Sequence, residues 1–499
     1  MLYRQKFNTF IRIYDSGTPA ERVGYIMTKY NFNDRVTDAS GSVFLAALSR
    51  EPQTIDELAA KIAVSFNDVD IDTIKQDALE FYKKLEEGGF IISGSTPEEL
   101  DKKDTRFSYK NLKEEKIEKK PDSETGIADK TSQDYLEEYF KEHPHLVSMQ
   151  IEITSRCNER CVHCYIPHQN KLHDMEESLF YNVLEQCREM GVLDLTLSGG
   201  EPMCHPHFTD FLSKLKEYDF TVAILSNLTM LNDKILDVMK GQHSFDIQTS
   251  LYSMKPEIHD SITQMPGSFL KTRDAILRLI DNDIPLHINC PTMKQNKNCY
   301  GDVLEWAHGH KIKTSTDYIM MARYDHTDSN LDNRLSIEDV GKVIGSIIAH
   351  NKDYQREVSR PDFALRDQRD RSNDRICGVC IAKICMIENG NVYPCPGWYN
   401  YLCGNVRETS LKDIWENSPK VKYLRSLRRK DIPECLDCSD RGFCAMCMAR
   451  NANENQEMSA VNTLGDPLKI NKHYCRVAAL NRKIVLEWKE KNIQQKAEA

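Results

Sequence analysis

Three cysteines lie close together in the sequence, and their spacing predicts a metal cluster. Cys157, Cys161 and Cys164 directly follow the predicted strand MQIEITSRC. Three thiolates on one short loop can hold one face of a compact centre, whereas a cubane iron–sulfur cluster needs four ligands. One iron would therefore stay open for an outside ligand, as in catalytic metal sites. The alternative is a zinc ion completed by His163 or a distant cysteine, which this spacing favours less.

A second group of cysteines is concentrated between residues 377 and 475. Ten of the 17 cysteines fall there, and none precedes Cys157. Ten thiols can hold two zinc ions or two further iron–sulfur clusters, and composition does not separate these. Four others, Cys187, Cys204, Cys290 and Cys299, are predicted to be ordinary interior thiols. His205 and His207 are not expected to bind metal, because they lack partners at metal-site spacing.

Polar residues follow several predicted strands. The second strand ends in SGGEP, where two glycines let the backbone approach a ligand and Glu201 can accept from an ammonium group. Later strands end in Ser226-Asn227 and Ser250-Leu251-Tyr252, and the fifth carries Asn289 and Met293. A Ser or Asn at a strand end also commonly caps a helix or forms a turn, so that interpretation stays open.

The elements that would position these residues alternate between strand and helix from residue 148 to about 325. This pattern predicts an α/β fold class with a parallel sheet, open or barrel-like, whose chemistry lies at the carboxyl ends of the strands. The predicted strands are Ser148–Thr154, Asp194–Ser198, Thr221–Ser226, Asp246–Leu251, Leu286–Pro291 and Thr314–Met320. The predicted helices are Glu176–Met190, Phe208–Tyr218, Asp233–Met239, Phe269–Asp281 and Tyr300–His310.

The rest of the chain divides by composition. β-Prone stretches, three helical patterns and a short β tail predict a small winged-helix-like α+β domain at the N-terminus, with a capping box at Thr54 and Glu57. A Lys-, Glu- and Asp-rich segment follows and is expected to be a solvated linker. The expected units are 1–95, the linker 96–132, the barrel 133–325, a bridging segment 326–376, the cysteine-rich domain 377–480 and a C-terminal helix or tail 481–499.

Composition excludes several classes of protein. Lys and Arg number 66 and Asp and Glu number 76, so a net charge of −10 disfavours a nucleic-acid binder. The sequence carries no signal-peptide pattern and no apolar run of 18 residues, so we expect a cytoplasmic protein without a membrane span. Cytosolic thiols are reduced, and clustered cysteines therefore predict metal ligands before disulfides.

The segment CNERCVHCY resembles the signature of radical S-adenosylmethionine enzymes. The resemblance implies a partial (β/α)6 TIM-like barrel in which Cys157, Cys161 and Cys164 bind a [4Fe–4S] cluster. The open iron would bind the amino and carboxylate groups of S-adenosylmethionine, and reductive cleavage would give a 5′-deoxyadenosyl radical. Val162 stands where the family often has an aromatic residue. The implied S-adenosylmethionine-binding residues are Tyr165, Gly199, Gly200, Glu201, Pro202, Ser226, Asn227, Ser250, Tyr252 and Asn289.

The segment NGNVYPCPGW and the later four-cysteine run resemble the SPASM extension of these enzymes, which typically binds two auxiliary [4Fe–4S] clusters, for three in all. The resemblance assigns one cluster to Cys435, Cys438, Cys444 and Cys475. It assigns the other to Cys395 and Cys447, with Cys377 and Cys380 fitting alike, and leaves Cys385 and Cys403 over. Some members carry an acidic base after the residue equivalent to Cys395, but here that residue is Pro396.

The segments YNFNDRVTDASGSVFLAALS and LEEGGFIIS resemble PqqD-like domains, which bind the leader of a precursor peptide by adding a strand to a sheet edge. DNA binding is the alternative for a winged-helix unit, but residues 1–95 have no dense basic stripe. Together the resemblances imply a peptide maturase that forms thioethers from Cys sulfur to carbon, with a flavodoxin or ferredoxin as electron donor. The alternatives are a carbon–carbon cross-linking maturase, and a non-catalytic leader-binding scaffold with structural metal. Formylglycine formation is disfavoured, because it needs no leader domain.

Overall fold

The N-terminal unit consists of two small antiparallel sheets and three helices. The computed structural model describes residues 1–29, 33–67, 69–110, 131–240, 245–360, 363 and 370–498. The two sheets have the strand orders β5-β1-β6 and β2-β3-β4. The strands are β1 (Leu2–Gln5), β2 (Thr9–Tyr14), β3 (Val23–Thr28), β4 (Asp34–Thr37), β5 (Gln53–Thr54) and β6 (Ile91–Gly94), and the helices are α1 (Ala39–Ala47), α2 (Ile55–Ala63) and α3 (Ile71–Glu87).

Local sequence explains most of this unit. The predicted capping box begins α2, because the Thr54 hydroxyl accepts from the Glu57 N–H at 3.2 Å and the Glu57 carboxylate accepts from the Thr54 N–H at 2.7 Å. Ile74, Ala78 and Tyr82 on one face of α3 are buried. One of the β-prone stretches, residues 31–36, forms β4 over Asp34–Thr37, and its first two residues lie outside the described part.

The predicted solvated linker is wrong for its first part. Pro97–Lys103 forms helix α4, in which Leu100 is fully buried and Asp101 pairs with Arg4 at 2.7 Å. Tyr109 is also buried, and its hydroxyl accepts from the N–H of Leu286 at 2.8 Å. Single apolar residues among the charges hold this segment against both neighbouring units. The remainder of the predicted linker, 111–130, lies outside the described residues.

Six parallel strands with helices between them form the largest unit, which confirms the α/β fold class and the partial barrel. Helix α5 (Ser132–Glu142) precedes them and packs Leu136 and Phe140 against the N-terminal sheet. The strands are β7 (Ser148–Thr154), β8 (Asp194–Gly199), β9 (Thr221–Leu225), β10 (Phe245–Ser250), β11 (Leu286–Pro291) and β12 (Lys313–Asp317). The helices are α6 (Glu177–Glu189), α7 (Phe208–Leu215), α8 (Asp233–Met239), α9 (Pro256–Thr263), α10 (Ser268–Asp281) and α11 (Tyr300–Gly309), of which α9 was not predicted.

Side-chain alternation divides each strand between the core and the barrel interior. On β7, Met149, Ile151 and Ile153 belong to the main hydrophobic core. Because successive side chains of a strand point to opposite faces, Gln150, Glu152 and Thr154 face the interior. The polar side chains of the strands therefore line the inside of the barrel.

The cysteine-rich region extends the barrel sheet instead of forming a separate one. It follows helices α12 (Ile337–His350) and α13 (Lys352–Val358), and its first strand, β13 (Lys383–Met386), pairs in parallel with β7. Strands β14 (Asn391–Tyr393) and β15 (Gly404–Asn405) then pair antiparallel, giving the order β12-β11-β10-β9-β8-β7-β13-β14-β15. The remaining helices are α14 (Leu411–Asn417), α15 (Pro419–Ser426), α16 (Met448–Asn453) and α17 (Lys472–Glu498).

Helix α17 runs without a break through residue 480, so the boundary predicted there is wrong, and Cys475 lies on this helix. Its Leu480 and Ile484 side chains lie against α12 beside Gly341, which explains why one long helix forms here. No helix in the described ranges is both long and apolar enough to cross a membrane.

Candidate active site

The loop that carries Cys157, Cys161 and Cys164 begins where β7 ends, at the carboxyl end of the barrel. All three thiols are partly exposed. The Glu159 N–H donates to Cys157 Sγ at 3.4 Å, and Cys161 Sγ donates to the Glu159 carboxylate at 3.3 Å. Burial raises the pKa of the Cys157 thiol to about 12 and that of the Cys161 thiol well above its usual value, so these two thiolates are stable only beside compensating cations.

This donor set fits a multi-iron cluster better than a single ion. A structural zinc site takes four protein ligands, whereas this loop supplies three thiols within eight residues. A cluster whose irons each take one thiolate can use three such ligands and leave one iron open.

The two glycines of the SGGEP segment bring β8 against the start of the cysteine loop. Gly199 has a φ of +147°, and a Cβ there would lie 2.0 Å from the Thr154 carbonyl oxygen. A Cβ at Gly200 would lie 2.3 Å from the carbonyl oxygen of Arg156, and the N–H of Gly200 donates to Thr154 at 2.8 Å. The glycines were predicted to let backbone approach a ligand, and the structure shows that they approach the chain's own backbone. Their absent side chains therefore set the position of Glu201 relative to Cys157.

Glu201 and the end of β9 form one hydrogen-bonded group. Its carboxylate, on a residue only 1% exposed, accepts from the Ser226 hydroxyl at 2.8 Å and from the N–H groups of Asn227 at 2.7 Å and Met203 at 3.0 Å. Burial raises the pKa of Glu201 to about 7. Pro202 is buried directly beside this group. A carboxylate held in this way suits recognition of an ammonium group.

Sequence reasoning missed a residue that connects this group to the cysteine loop. Asn158, next to Cys157, accepts from the Asn227 side chain at 2.9 Å and donates to the Thr229 hydroxyl at 2.6 Å. Asn227 thus bridges the end of β9 to the cysteine loop. The Asn directly after Cys157 is the only signal in the sequence, and nothing local predicts its partner.

His163 also has a role that the sequence did not indicate. Its Nε2 lies 3.3 Å from the Tyr252 hydroxyl, and burial lowers the pKa of His163 to about 4. Tyr252 is 5% exposed and its hydroxyl also contacts Ser250, so the predicted pair at the end of β10 does reach the cysteine loop. Val162 packs in the small apolar cluster around Tyr252 and Met293.

Asn289 and Tyr165 lie at different places in the barrel. Asn289 on β11 accepts from the Ser315 hydroxyl of β12 at 3.1 Å, so it faces the interior four strands away from β7. Tyr165 directly follows Cys164 and points to β7, where its hydroxyl lies 3.4 Å from Glu152. The structure therefore places Asn289 beside Ser250, its register partner on β10, and Tyr165 between the cysteine loop and the barrel interior.

The four cysteines predicted to share one auxiliary centre lie together. Cys435 is within electrostatic reach of Cys438, Cys444 and Cys475, although Cys475 comes from a helix 31 residues after Cys444. Burial raises the pKa of Cys435 to about 11, so this group also needs a cation to hold thiolates.

The second predicted group surrounds Cys395. Cys447, Cys377 and Cys380 all act electrostatically on its thiol, whose pKa burial raises to about 12. Cys380, with a φ of +58°, also contacts the buried thiol of Cys403. Eight thiols therefore form two groups of four, a donor set that fits two iron–sulfur clusters.

Two cysteines beyond the predicted eight, Cys385 and Cys403, lie beside the Cys395 group. Cys385 on β13 is buried beside Glu152 and Cys395, with Tyr399 hydrogen-bonded to its thiol. Cys187, Cys290 and Cys299 are buried and Cys204 is partly exposed. His207 does have partners, since its Nδ1 lies 3.4 Å from Glu177 and 3.3 Å from Asp210 on an exposed surface.

Comparison with known proteins agrees with this geometry. Residues 151–307 match the model of the radical SAM superfamily, and residues 383–439 match the SPASM iron–sulfur cluster-binding domain. The chain therefore contains a radical SAM domain followed by a SPASM domain. These domains define a class of proteins that bind S-adenosylmethionine and iron–sulfur clusters.

Individual relatives are more distant. The tungsten-containing aldehyde ferredoxin oxidoreductase cofactor-modifying protein of Pyrococcus furiosus is 26% identical over 327 residues, covering 59% of this chain and 88% of that protein. The antilisterial bacteriocin subtilosin biosynthesis protein AlbA of Bacillus subtilis is 25% identical over 325 residues, covering 63% and 70%. Streptococcus suis SuiB, in a crystal structure with precursor peptide SuiA, shares the fold at a TM-score of 0.58 and 16% identity, covering 94% of this chain and all of that one.

Proposed function

We propose that this protein matures a ribosomally made precursor peptide by radical chemistry. The observation that carries the proposal is the arrangement of the two cysteine regions. The Cys157 loop opens at the carboxyl end of the barrel, and the eight-thiol region covers the same end, since Asn453 donates to the carbonyl of Gly397 at 2.8 Å and to that of Ala322 at 3.3 Å. A substrate bound between them would lie next to both kinds of cluster.

The cofactors would be held by the residues described above. Cys157, Cys161 and Cys164 would bind one [4Fe–4S] cluster, and Glu201 would accept from the amino group of S-adenosylmethionine. Bound together and reduced by a flavodoxin or ferredoxin, the pair supplies a 5′-deoxyadenosyl radical. Two more [4Fe–4S] clusters would occupy the groups around Cys395 and Cys435, for three in all.

A peptide substrate is supported by a structural similarity that extends along nearly the whole chain. The likeness to SuiB extends over 94% of the chain, which includes most of the N-terminal unit, and that structure holds a precursor peptide. In this unit β4 is the outer strand of its sheet, and α3 lies beside it, with the Asn33 side chain donating to the Gly88 carbonyl at 2.7 Å. A leader could add a strand at this edge.

The N-terminal unit docks at the amino ends of the barrel strands, opposite the cysteine loop. Arg12 Nε donates to the Val192 carbonyl at 3.0 Å just before β8, and Arg50 Nε donates to Asp219 at 3.0 Å just before β9. Partly buried Lys29 donates to the Val222 carbonyl at 3.2 Å. The leader and the modified core of the peptide would thus bind at opposite ends of the barrel.

The bond that we propose is a thioether between Cys sulfur and carbon. Its support is the absence of a carboxylate at Pro396 together with thiols, Cys385 and Cys403, beyond the eight that form the two groups. A carbon–carbon cross-link is the second candidate, since a substrate radical can attack either acceptor. A non-catalytic scaffold with structural metal is disfavoured by the match of residues 151–307 to the radical SAM superfamily.

Two measurements test the proposal. Replacing Cys157, Cys161 and Cys164 together by Ala removes all three ligands of the first cluster and should abolish 5′-deoxyadenosine formation under dithionite. A Cys187→Ala variant, which removes a buried core thiol, is the control and should retain it. In the reaction with the precursor peptide encoded beside the gene, each thioether ring should lower the peptide mass by two hydrogens and remove one alkylatable thiol. Continued cleavage in the triple variant would refute the radical assignment, and rings that leave every thiol free would refute the thioether.

A further inference from the structure

A buried carboxylate lies inside the barrel between the two cysteine regions, and the functions above do not use it. Glu152 is on the interior face of β7 and is 3% exposed. Tyr165 approaches it from the residue after Cys164, and Tyr399 approaches it from four residues after Cys395. Glu152 thus occupies the region where a substrate radical would have to form its new bond.

The hydrogen bonds of Glu152 leave one oxygen available. Tyr399, Tyr165 and Gln150 all donate to Oε1, the last two at 3.4 Å and 3.5 Å. Burial keeps the pKa values of both tyrosines well above their usual range, so both hydroxyls remain donors. These three donors orient the carboxylate through Oε1, and Oε2 is the oxygen that can receive a proton.

We propose that Glu152 is the base that takes the proton released when the peptide radical forms its cross-link. The proposal rests on the proposed function and supplies what the chain lacks at Pro396. It concerns the substrate's proton and not the formation of the radical.

In thioether formation, the substrate C–H bond breaks and its hydrogen atom goes to the 5′-deoxyadenosyl carbon. The substrate S–H bond breaks, its proton goes to Glu152 Oε2, and the C–S bond forms. One electron is left over, and an oxidised iron–sulfur cluster held by the cysteines of the SPASM region would accept it. For a carbon–carbon bond the proton comes from the acceptor carbon, and the remaining transfers are the same.

The surroundings of Glu152 favour this role at neutral pH. The titratable groups that face it are Tyr165, Tyr399, Tyr324, the Cys385 thiol on β13 and Glu388 after β13. Burial, with a smaller contribution from nearby Glu388, raises the pKa of Glu152 to about 7 against the lowering effect of the tyrosine hydroxyls. A base with a pKa near the working pH is the most effective proton acceptor.

Glu152→Gln tests the role, because it keeps an oxygen for the tyrosines and removes the base. Incubated with the recombinant precursor peptide encoded beside the gene, the reconstituted variant should form about 100-fold less cross-linked peptide per 5′-deoxyadenosine than wild type. Glu152→Asp, which retains a carboxylate, should recover part of the loss. Glu454→Gln, at a carboxylate that pairs with Arg334 at 2.6 Å away from Glu152, is the matched control and should keep the wild-type ratio.

A second readout needs no turnover. In protein labelled with 13C-glutamate, the carboxyl absorbance that titrates near pH 7 has contributions from Glu152, Glu201 and Glu159. One of these contributions should be lost in Glu152→Gln, and all of them should persist in Glu454→Gln. A wild-type product ratio in Glu152→Gln, or an infrared titration near pH 7 that is the same in Glu152→Gln as in wild type, would overturn the role of Glu152 while leaving the maturase intact. A precursor that wild type does not modify at all would overturn the proposed function, and this inference with it.

Discussion

Adding a single methyl group at Gly200 should slow radical formation while the protein still folds. The backbone of Gly200 is not in the left-handed region, so Gly200→Ala tests steric contact alone. The added Cβ would lie 2.3 Å from the Arg156 carbonyl oxygen and 2.5 Å from that of Ser155. An ordinary contact needs about 3.5 Å, so the segment leading to Cys157 must move by about 1 Å relative to Glu201.

The size of the effect follows from that displacement. A misplacement of about 1 Å at a reacting centre can lower the rate about 100-fold, whereas overpacking costs about 1–3 kcal/mol of unfolding free energy. We therefore expect a folded protein whose rate of 5′-deoxyadenosine formation under dithionite, measured by chromatography, falls about 100-fold.

The matched control is Gly345→Ala in α12, where no neighbouring atom lies within 4 Å of the added Cβ. It should keep the wild-type rate and gain about 1 kcal/mol of stability in thermal unfolding, because alanine is the better helix former. If Gly200→Ala forms 5′-deoxyadenosine within about threefold of the wild-type rate, the glycine pair does not set the position of Glu201 relative to Cys157.

Two further predictions concern binding. Glu201→Gln removes a charge-assisted hydrogen bond worth about 1.5–3 kcal/mol. The Kd for S-adenosylmethionine, measured by anaerobic calorimetry, should therefore rise at least tenfold. A Kd within twofold of the wild-type value would contradict the assignment of Glu201. The proposed leader site and the cysteine loop would lie at opposite ends of the seven-residue strand β7, about 20 Å apart. Precursors with fewer than about six residues between the leader and the first ring should therefore bind, but mass spectrometry should find them unmodified. Hydrogen exchange on the full-length protein should then show protection of β4 and α3 by either precursor; protection confined to other segments would place the leader elsewhere.

Much of the fold was predictable because its signals are local. The six barrel strands and the capping box at Thr54 follow from patterns that span a few residues. Helix α9 was missed, and the charged segment after residue 96 was interpreted as solvated because single buried residues such as Leu100 and Tyr109 do not form a pattern.

The candidate site also contains some residues that the local sequence predicts and others that only the fold brings together. The sequence alone identified Cys157, Cys161 and Cys164, since three ligands on one loop need no distant partner to be recognised, and its resemblance to known domains grouped the later cysteines. Only the tertiary structure brought Glu152 to Tyr399, which lies 247 residues later, because their contact depends on the pairing of β7 with β13. It also showed that Gly199 and Gly200 face the chain's own backbone and that the N-terminal unit docks at the far end of the barrel. Those relations arise from strand order and packing between distant segments, which no local pattern of residues specifies.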